Sequence, residues 1–178
     1  EYTTDYKKTH SQTLLPDRDE LRNMIELDMN TVDAIAIASG PGSFTGLRIG
    51  SATAKGLGLA LQKPLVEVPT LEGLAWNLWG TDRLVCPLMD ARRNQVYTGI
   101  YSFKGTDMEV IMPQNIMMID DVLYELDKIG RPVMFLGDAI AVQKAHIDEK
   151  LAVEHHYAPA SMNRQKASSL AALATLYF

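Results

Sequence analysis

The stretch "SGPGSFTGLRIGSATAKGLGLA", residues 39–60, decides how this chain is read. It begins like a phosphate-binding loop, with glycines, a serine and a threonine ahead of a helix-forming run. The likeness then fails at particular positions. A P-loop needs a lysine and a hydroxyl residue directly after its last glycine, to neutralise phosphate charge and hold magnesium. Here Gly46 is followed by Leu47 and Arg48. The dinucleotide fingerprint needs glycine at three fixed positions; Gly40 and Gly42 fit, but Thr45 takes the third. A nucleophile elbow separates its first glycine from the serine by one residue, whereas Gly42 directly precedes Ser43. Two uses of the loop remain open. Ser43 can cap the following helix, or Gly42, Ser43 and Phe44 can offer an anion the N–H groups of a helix N-terminus.

The run after the loop predicts a helix over 43–61. Gly46, Gly50, Ala54 and Gly58 recur every four residues, so a stripe without large side chains runs along it. Glycine within a helix costs about 1 kcal/mol relative to alanine, and close approach by another element is the usual compensation. Only Arg48 and Lys55 are charged between 43 and 61, on one narrow face. A helix apolar nearly all round is covered nearly all round. One side is expected on the chain's own sheet, against Ala34, Ala36 and Ala38. Whether the glycines serve only that internal contact, or a second side meets another subunit, stays open on pattern alone.

Outward from the loop, "VDAIAIAS" (32–39) predicts a central strand and "PLVEV" (64–68) a second one. Strand, helix, strand without room for a hairpin implies a right-handed parallel crossover. Upstream, "EYTTDY" (1–6) reads as an edge strand. A helix over 12–29 follows, with Leu14, Leu21 and Ile25 on one face, Ser11 or Thr13 as its cap and Pro16 in its first turn. "TLEGLAWNLWG" (70–80) predicts a helix capped by Thr70. From residue 83 the texture changes. Strands "RLVCPLMD" and "QVYTGIYSF", joined by "ARRN" and followed by "MEVIM", suggest an antiparallel meander. "IDDVLYELDKIG" is a helix stopped at Gly130, "PVMFLG" a strand, "DAIAVQKAHIDEK" a helix, "LAVEHH" a short strand, and the last segment is helical. The expected division is an α/β lobe over 1–81 and a second α/β lobe over 82–178.

Composition narrows the function. Among 178 residues, 17 basic and 22 acidic side chains give a net charge of −5, so a grip on nucleic acid by this chain alone is not expected. Cys86 is the only cysteine, which precludes an internal disulfide and suits a reducing, cytoplasmic compartment. No apolar run has the length of a membrane span. His10, His146, His155 and His156 do not form H-x-x-x-H, so neither a catalytic nor a metal site is assigned. Asp120 and Asp121 read as helix N-terminal acids, and Arg92 and Arg93 as a solvated turn. The opening at Glu1 and the close in mid-helix pattern are read as missing segments at both ends.

The glycine stretch, with "THSQTLLP" (9–16), "PTLEGLA" (69–75) and "MDARRNQVYTGIY" (89–101), resembles the bacterial TsaB (YeaZ) family of tRNA threonylcarbamoyladenosine biosynthesis. The likeness covers about residues 1–137; where the family more usually has Gly-Glu, this chain has Asn94-Gln95. The resemblance implies an actin-like ATPase fold of the sugar kinase and Hsp70 type, with the opening strand and the C-terminal tail absent here. It implies a non-catalytic subunit that binds a TsaD-like transferase, joins a TsaE-like ATPase and self-associates when alone. It also implies that tRNA is met only through the complex, and that ATP and metal belong to the partners. The contact surface in that picture comprises Leu14, Leu21 and Ile25 with Gly46, Gly50, Ala54 and Gly58. An active nucleotide hydrolase or kinase of the same fold, or a peptidase, is the competing expectation.

Overall fold

The computed structural model describes Glu1 and residues 10–178. The strand expected over 1–6 lies, apart from Glu1, outside the described residues. The remainder forms two compact units. One comprises Glu1–Thr70 with Lys166–Phe178, the other Leu71–Gln165. The chain is therefore not divided once near residue 81. The first boundary falls eleven residues earlier, at Thr70. The C-terminal helix returns to the first unit, where it packs on that unit's two strands.

In the first unit, helix α1 (His10–Met24) is followed by a 3-10 turn at Met29–Thr31, and strand β1 (Ile35–Ala38) by helix α2 (Phe44–Leu61) and strand β2 (Leu65–Val68). β1 and β2 pair in parallel, with Ile35 opposite Leu65 and Ala38 opposite Val68. The α2 crossover is what a parallel pair requires. Helix α6 (Ala167–Tyr177) also lies on this pair. α1 differs from expectation at both ends. His10 is already helical, so Ser11 and Thr13 lie within the helix and Pro16 lies beyond its first turn. It stops at Met24 because Glu26 adopts a left-handed φ of 50°. Asp28 then caps the 3-10 turn by accepting the Asn30 N–H at 3.0 Å.

The second unit starts from a short helix, α3 (Thr70–Ala75), continued by a 3-10 turn at Trp76–Leu78. A five-stranded sheet follows, in the order β5-β4-β3-β6-β7. Its strands are β3 (Leu84–Asp90), β4 (Gln95–Lys104), β5 (Asp107–Met118), β6 (Val133–Leu136) and β7 (His155–Tyr157). β3, β4 and β5 form the expected antiparallel meander, while β3, β6 and β7 run parallel. Helices α4 (Ile119–Ile129) and α5 (Ile140–Lys150) make the crossovers. α4 ends where Gly130 takes a φ of 70°. Alternation along β3 divides the interior. Leu84, Cys86 and Leu88 enter one cluster with Val122, Leu126 and Ile147 of the helices. Val85 enters the other, with Leu71, Leu74, Tyr101 and Leu136.

Where β3 and β6 end, backbone meets backbone. Gly137 has a φ of 112°, and a Cβ there would collide with the carbonyl oxygen of Leu88. That same oxygen accepts the Ala139 N–H at 3.2 Å, and Asn163 Oδ1 accepts the Gly137 N–H at 2.6 Å. A residue with a side chain would meet both a strained φ and a backbone clash. Gly137→Ala is expected to cost roughly 2–4 kcal/mol in denaturant unfolding.

Cys86 lies in the sheet interior beside Thr98 Oγ1 at 3.4 Å. Burial pushes its thiol up to about 12, against a smaller lowering by Thr98. The folded state thus disfavours the thiolate. Its contribution to stability is complete below the ordinary thiol range and declines as pH rises from about 9 towards 12. Alkylation at pH 8 should accordingly be slow in the native protein and fast once it is unfolded.

Candidate functional site

The loop opening α2 is built as a helix cap. Ser43 is the N-cap, and its Oγ accepts the Gly46 N–H at 3.3 Å. The Gly46 N–H, one of the donors a helix N-terminus offers an anion, is thereby already bonded. The Leu47 side chain fills the loop's inner side, 3.4 Å from where a Cβ of Gly40 would stand and 3.6 Å from that of Gly42. Gly42, Ser43 and Phe44 are exposed. Thr70, expected to cap its own helix, instead ties the loops after β1 and β2 together. Its Oγ1 accepts the Gly40 N–H at 3.1 Å and its N–H donates to the Gly40 carbonyl at 2.9 Å.

The glycine stripe proves to face inward. Ala54 and Gly58 are buried. A Cβ on Gly58 would meet Leu65 Cδ2 and the Lys63 carbonyl oxygen, each at 3.1 Å. Gly50 faces Ile37 Cδ1 at 3.9 Å and is half-buried, as is Gly46. α2 therefore rests on the large residues Ile37 and Leu65, not on Ala34, Ala36 and Ala38 as their small size suggested; Ala36 is exposed. Missing side chains on the helix make room for long ones on the strands. Part of the surface read from the sequence, Ala54 and Gly58, is thus occupied within the unit.

The opposite side of α2 is open. Phe44, Arg48, Ala52, Lys55 and Leu59 are exposed, Phe44 at 68% and Leu59 at 83%. Their spacing of three and four puts them in one band along the helix. The Arg48 guanidinium lies 3.9 Å from the centroid of the Phe44 ring. Helix α1 packs beside α2 and adds apolar surface: Leu14 and Leu15 are exposed and Leu21 is half-buried, while Ile25, just past its end, is 68% exposed. Leu14 and Leu21 lie within α1, whereas Ile25 lies just past its end. Sequence reasoning missed Phe44, Arg48 and Leu59 as surface contributors. The signal was available in Arg48 and Lys55, whose charges mark the outward side.

Several titratable groups outside this surface are engaged structurally. Tyr157 O–H donates to Asp148 Oδ1 at 2.7 Å, and His155 Nε2 lies 3.1 Å from the same oxygen. These hydrogen bonds, Tyr157 first, hold the Asp148 carboxyl below its ordinary range. Desolvation, then the hydrogen bond to Asp148 and its charge, push the Tyr157 hydroxyl upward. His146 pairs with Asp120, and His156 with Glu154. Among the described residues no three of His, Cys, Asp and Glu are grouped as metal ligands. No helix among them is long and apolar enough to cross a membrane.

Residues 4–177 match the family model described as TsaD: tRNA N6-adenosine threonylcarbamoyltransferase. The tRNA threonylcarbamoyladenosine biosynthesis protein TsaB of Bacillus subtilis is 38% identical over 173 residues, 97% of this chain and 76% of that protein. The protein of the same name from Escherichia coli is 31% identical over 119 residues, 62% of this chain and 51% of that protein. A crystal structure of an uncharacterized Pseudomonas aeruginosa protein with similarity to peptidase YEAZ superposes with a TM-score of 0.82 at 27% identity, covering 98% of this chain and 79% of that one. The fold is thus the actin-like fold of the TsaD type. Within that class, the chain belongs to the TsaB (YeaZ) family of tRNA threonylcarbamoyladenosine biosynthesis proteins.

Two substitutions distinguish the two sides of α2. A Cβ added at Gly56 would meet nothing within 4 Å, so Gly56→Ala should raise stability by about 0.5–1 kcal/mol through helix propensity. Gly58→Ala presses on a backbone carbonyl and should cost about 1–2 kcal/mol. Thermal and urea unfolding of the pair would measure both.

Proposed function

We propose that this chain is a non-catalytic subunit of the assembly that forms threonylcarbamoyladenosine in tRNA. It binds and supports a TsaD-type transferase, together with a TsaE-type ATPase. The observation that carries this reading is the exposed band of Phe44, Arg48 and Leu59 on α2, beside Leu14 on α1 and Ile25 just past the end of α1. Exposed apolar side chains gathered on neighbouring helices form the kind of surface a partner subunit covers, and an arginine already stacked on an aromatic ring is a preorganised anchor for one. Family membership supplies the partner's identity. Leu21, Gly46 and Gly50, half-buried, border this surface, while Ala54 and Gly58 support it from beneath. The same surface joins two copies when the transferase is absent.

In this reading the chain itself holds no cofactor, ATP and metal act on the partner subunits, tRNA is bound through the complex, and the protein is cytoplasmic. Support comes from the sequence: the glycine loop lacks the P-loop lysine, and no histidine pair has metal-ligand spacing.

The test uses the full-length protein carrying Leu14→Asp and Ile25→Asp. Both positions are exposed, so the fold should persist, with the melting temperature changed only by lost association. Sedimentation should show a monomer, capture of the TsaD-type transferase should weaken at least tenfold, and threonylcarbamoyladenosine formation in the reconstituted reaction should fall with it. A folded variant that still dimerises and still supports modification overturns the surface. Phosphate release by the purified protein alone at about 1 per second, within the ordinary enzyme range, overturns the subunit reading.

A further inference from the structure

The turn joining β3 to β4 is at odds with its own residues. Arg92, Arg93 and Asn94 have φ angles of 67°, 54° and 60°, three successive residues in the left-handed region. Asparagine tolerates that region. On an arginine the Cβ crowds the following carbonyl oxygen, a cost glycine would not carry.

The backbone of the turn is braced. Asp90 Oδ1 accepts the Arg92 N–H at 2.8 Å, and Asp138 Oδ1 accepts the Asp90 N–H at 3.1 Å. The Gln95 N–H donates to the Arg92 carbonyl at 3.0 Å, and the Ile119 N–H to the Asn94 carbonyl at 3.1 Å. The side chains are not so held. All the other arginines of the chain are engaged: Arg18 and Arg83 in ion pairs, Arg22 and Arg131 on backbone carbonyls, Arg48 on Phe44, and Arg164 with a partner too. Arg92 and Arg93, both exposed, have no side-chain partner among the described residues. Asp120 and Asp121 follow Ile119 at the start of α4, but neither forms an ion pair with the turn, and Asp120 is paired with His146.

We propose that this turn contacts phosphates of the tRNA backbone when the chain sits in its assembly; the inference rests on the function proposed above. A guanidinium presents paired N–H donors that match a phosphate, and two on a braced turn are presented in a fixed place. Consecutive phosphates along one strand offer anions in series to consecutive side chains. Two such contacts on a chain of net charge −5 do not hold RNA alone. They add to binding made elsewhere in the assembly, and the addition is salt-dependent.

The test compares the wild type with Arg92→Asn plus Arg93→Asn, and with Arg92→Lys plus Arg93→Lys. Asparagine accepts the left-handed backbone and removes both charges; lysine keeps them. Full-length protein is assembled with the TsaD-type and TsaE-type subunits, and tRNA binding is titrated over a salt series. The asparagine variant should assemble normally and bind tRNA roughly tenfold more weakly at low salt, with a log–log salt slope shallower by about 1–2. The lysine variant should keep most of the wild-type slope. Unchanged affinity and slope in an intact assembly overturn the proposed contact while leaving the subunit function standing. Loss of assembly without change in tRNA affinity overturns it in favour of an acidic protein segment as partner. A wild-type protein that joins no transferase overturns the function, and this contact with it.

Discussion

Helix α2 comes closest to the parallel pair at position 58, which has no side chain. The Lys63 carbonyl and Leu65 Cδ2 stand 3.1 Å from where a Cβ would be, so an added methyl would press both aside by a few tenths of an ångström. Along the same side, Ala54 is buried and Gly50 faces Ile37 Cδ1 at 3.9 Å. Close packing on this side fixes the rotation of the helix about its axis. That rotation puts Phe44, Arg48 and Leu59 outside. The surface offered to a partner is thus set by contacts on the opposite face, and the conformational cost of several helical glycines is offset by seating a helix on long aliphatic side chains.

The loop preceding α2 follows from the same seating. A nucleotide loop would direct its N–H groups at a ligand. Here Ser43 takes one of them, Leu47 fills the inner side, and Thr70 bonds Gly40 in both directions. Strand, turn and helix keep the outline of a phosphate site while their polar groups bond one another. The second unit shows a different balance. At the ends of β3 and β6, Gly137 and Leu88 meet backbone to backbone, whereas the nearby turn at Arg92–Asn94 keeps a strained conformation and two side chains without partners among the described residues. Strain retained where glycine would relieve it points towards use of the side chains.

Much of the fold was legible in the sequence. The crossover from β1 through α2 to β2, the Ser43 cap, the meander from β3 to β5 and the stop at Gly130 all rest on local chemistry: alternation, capping and a left-handed terminator. The errors arose where a residue's partner is distant in the chain. Thr70 matches a helix cap until Gly40, thirty residues earlier, takes its hydroxyl. α6 follows the second lobe in sequence yet packs on β1 and β2, so the boundary drawn near 81 could not be read locally.

The sequence by itself determined that α2 is a helix, that small residues run along one side, and that its charges lie on another, because these are properties of periodicity. It also determined the family, through the ordered motifs around that helix. Only the tertiary structure decided which side is covered by what. A stripe of glycine permits close approach by a sheet or by a second subunit alike. The choice depends on whether Ile37 and Leu65, supplied by strands on either side of the helix in sequence, arrive beneath it. They do, and so the outward side is the one with Phe44, Arg48 and Leu59.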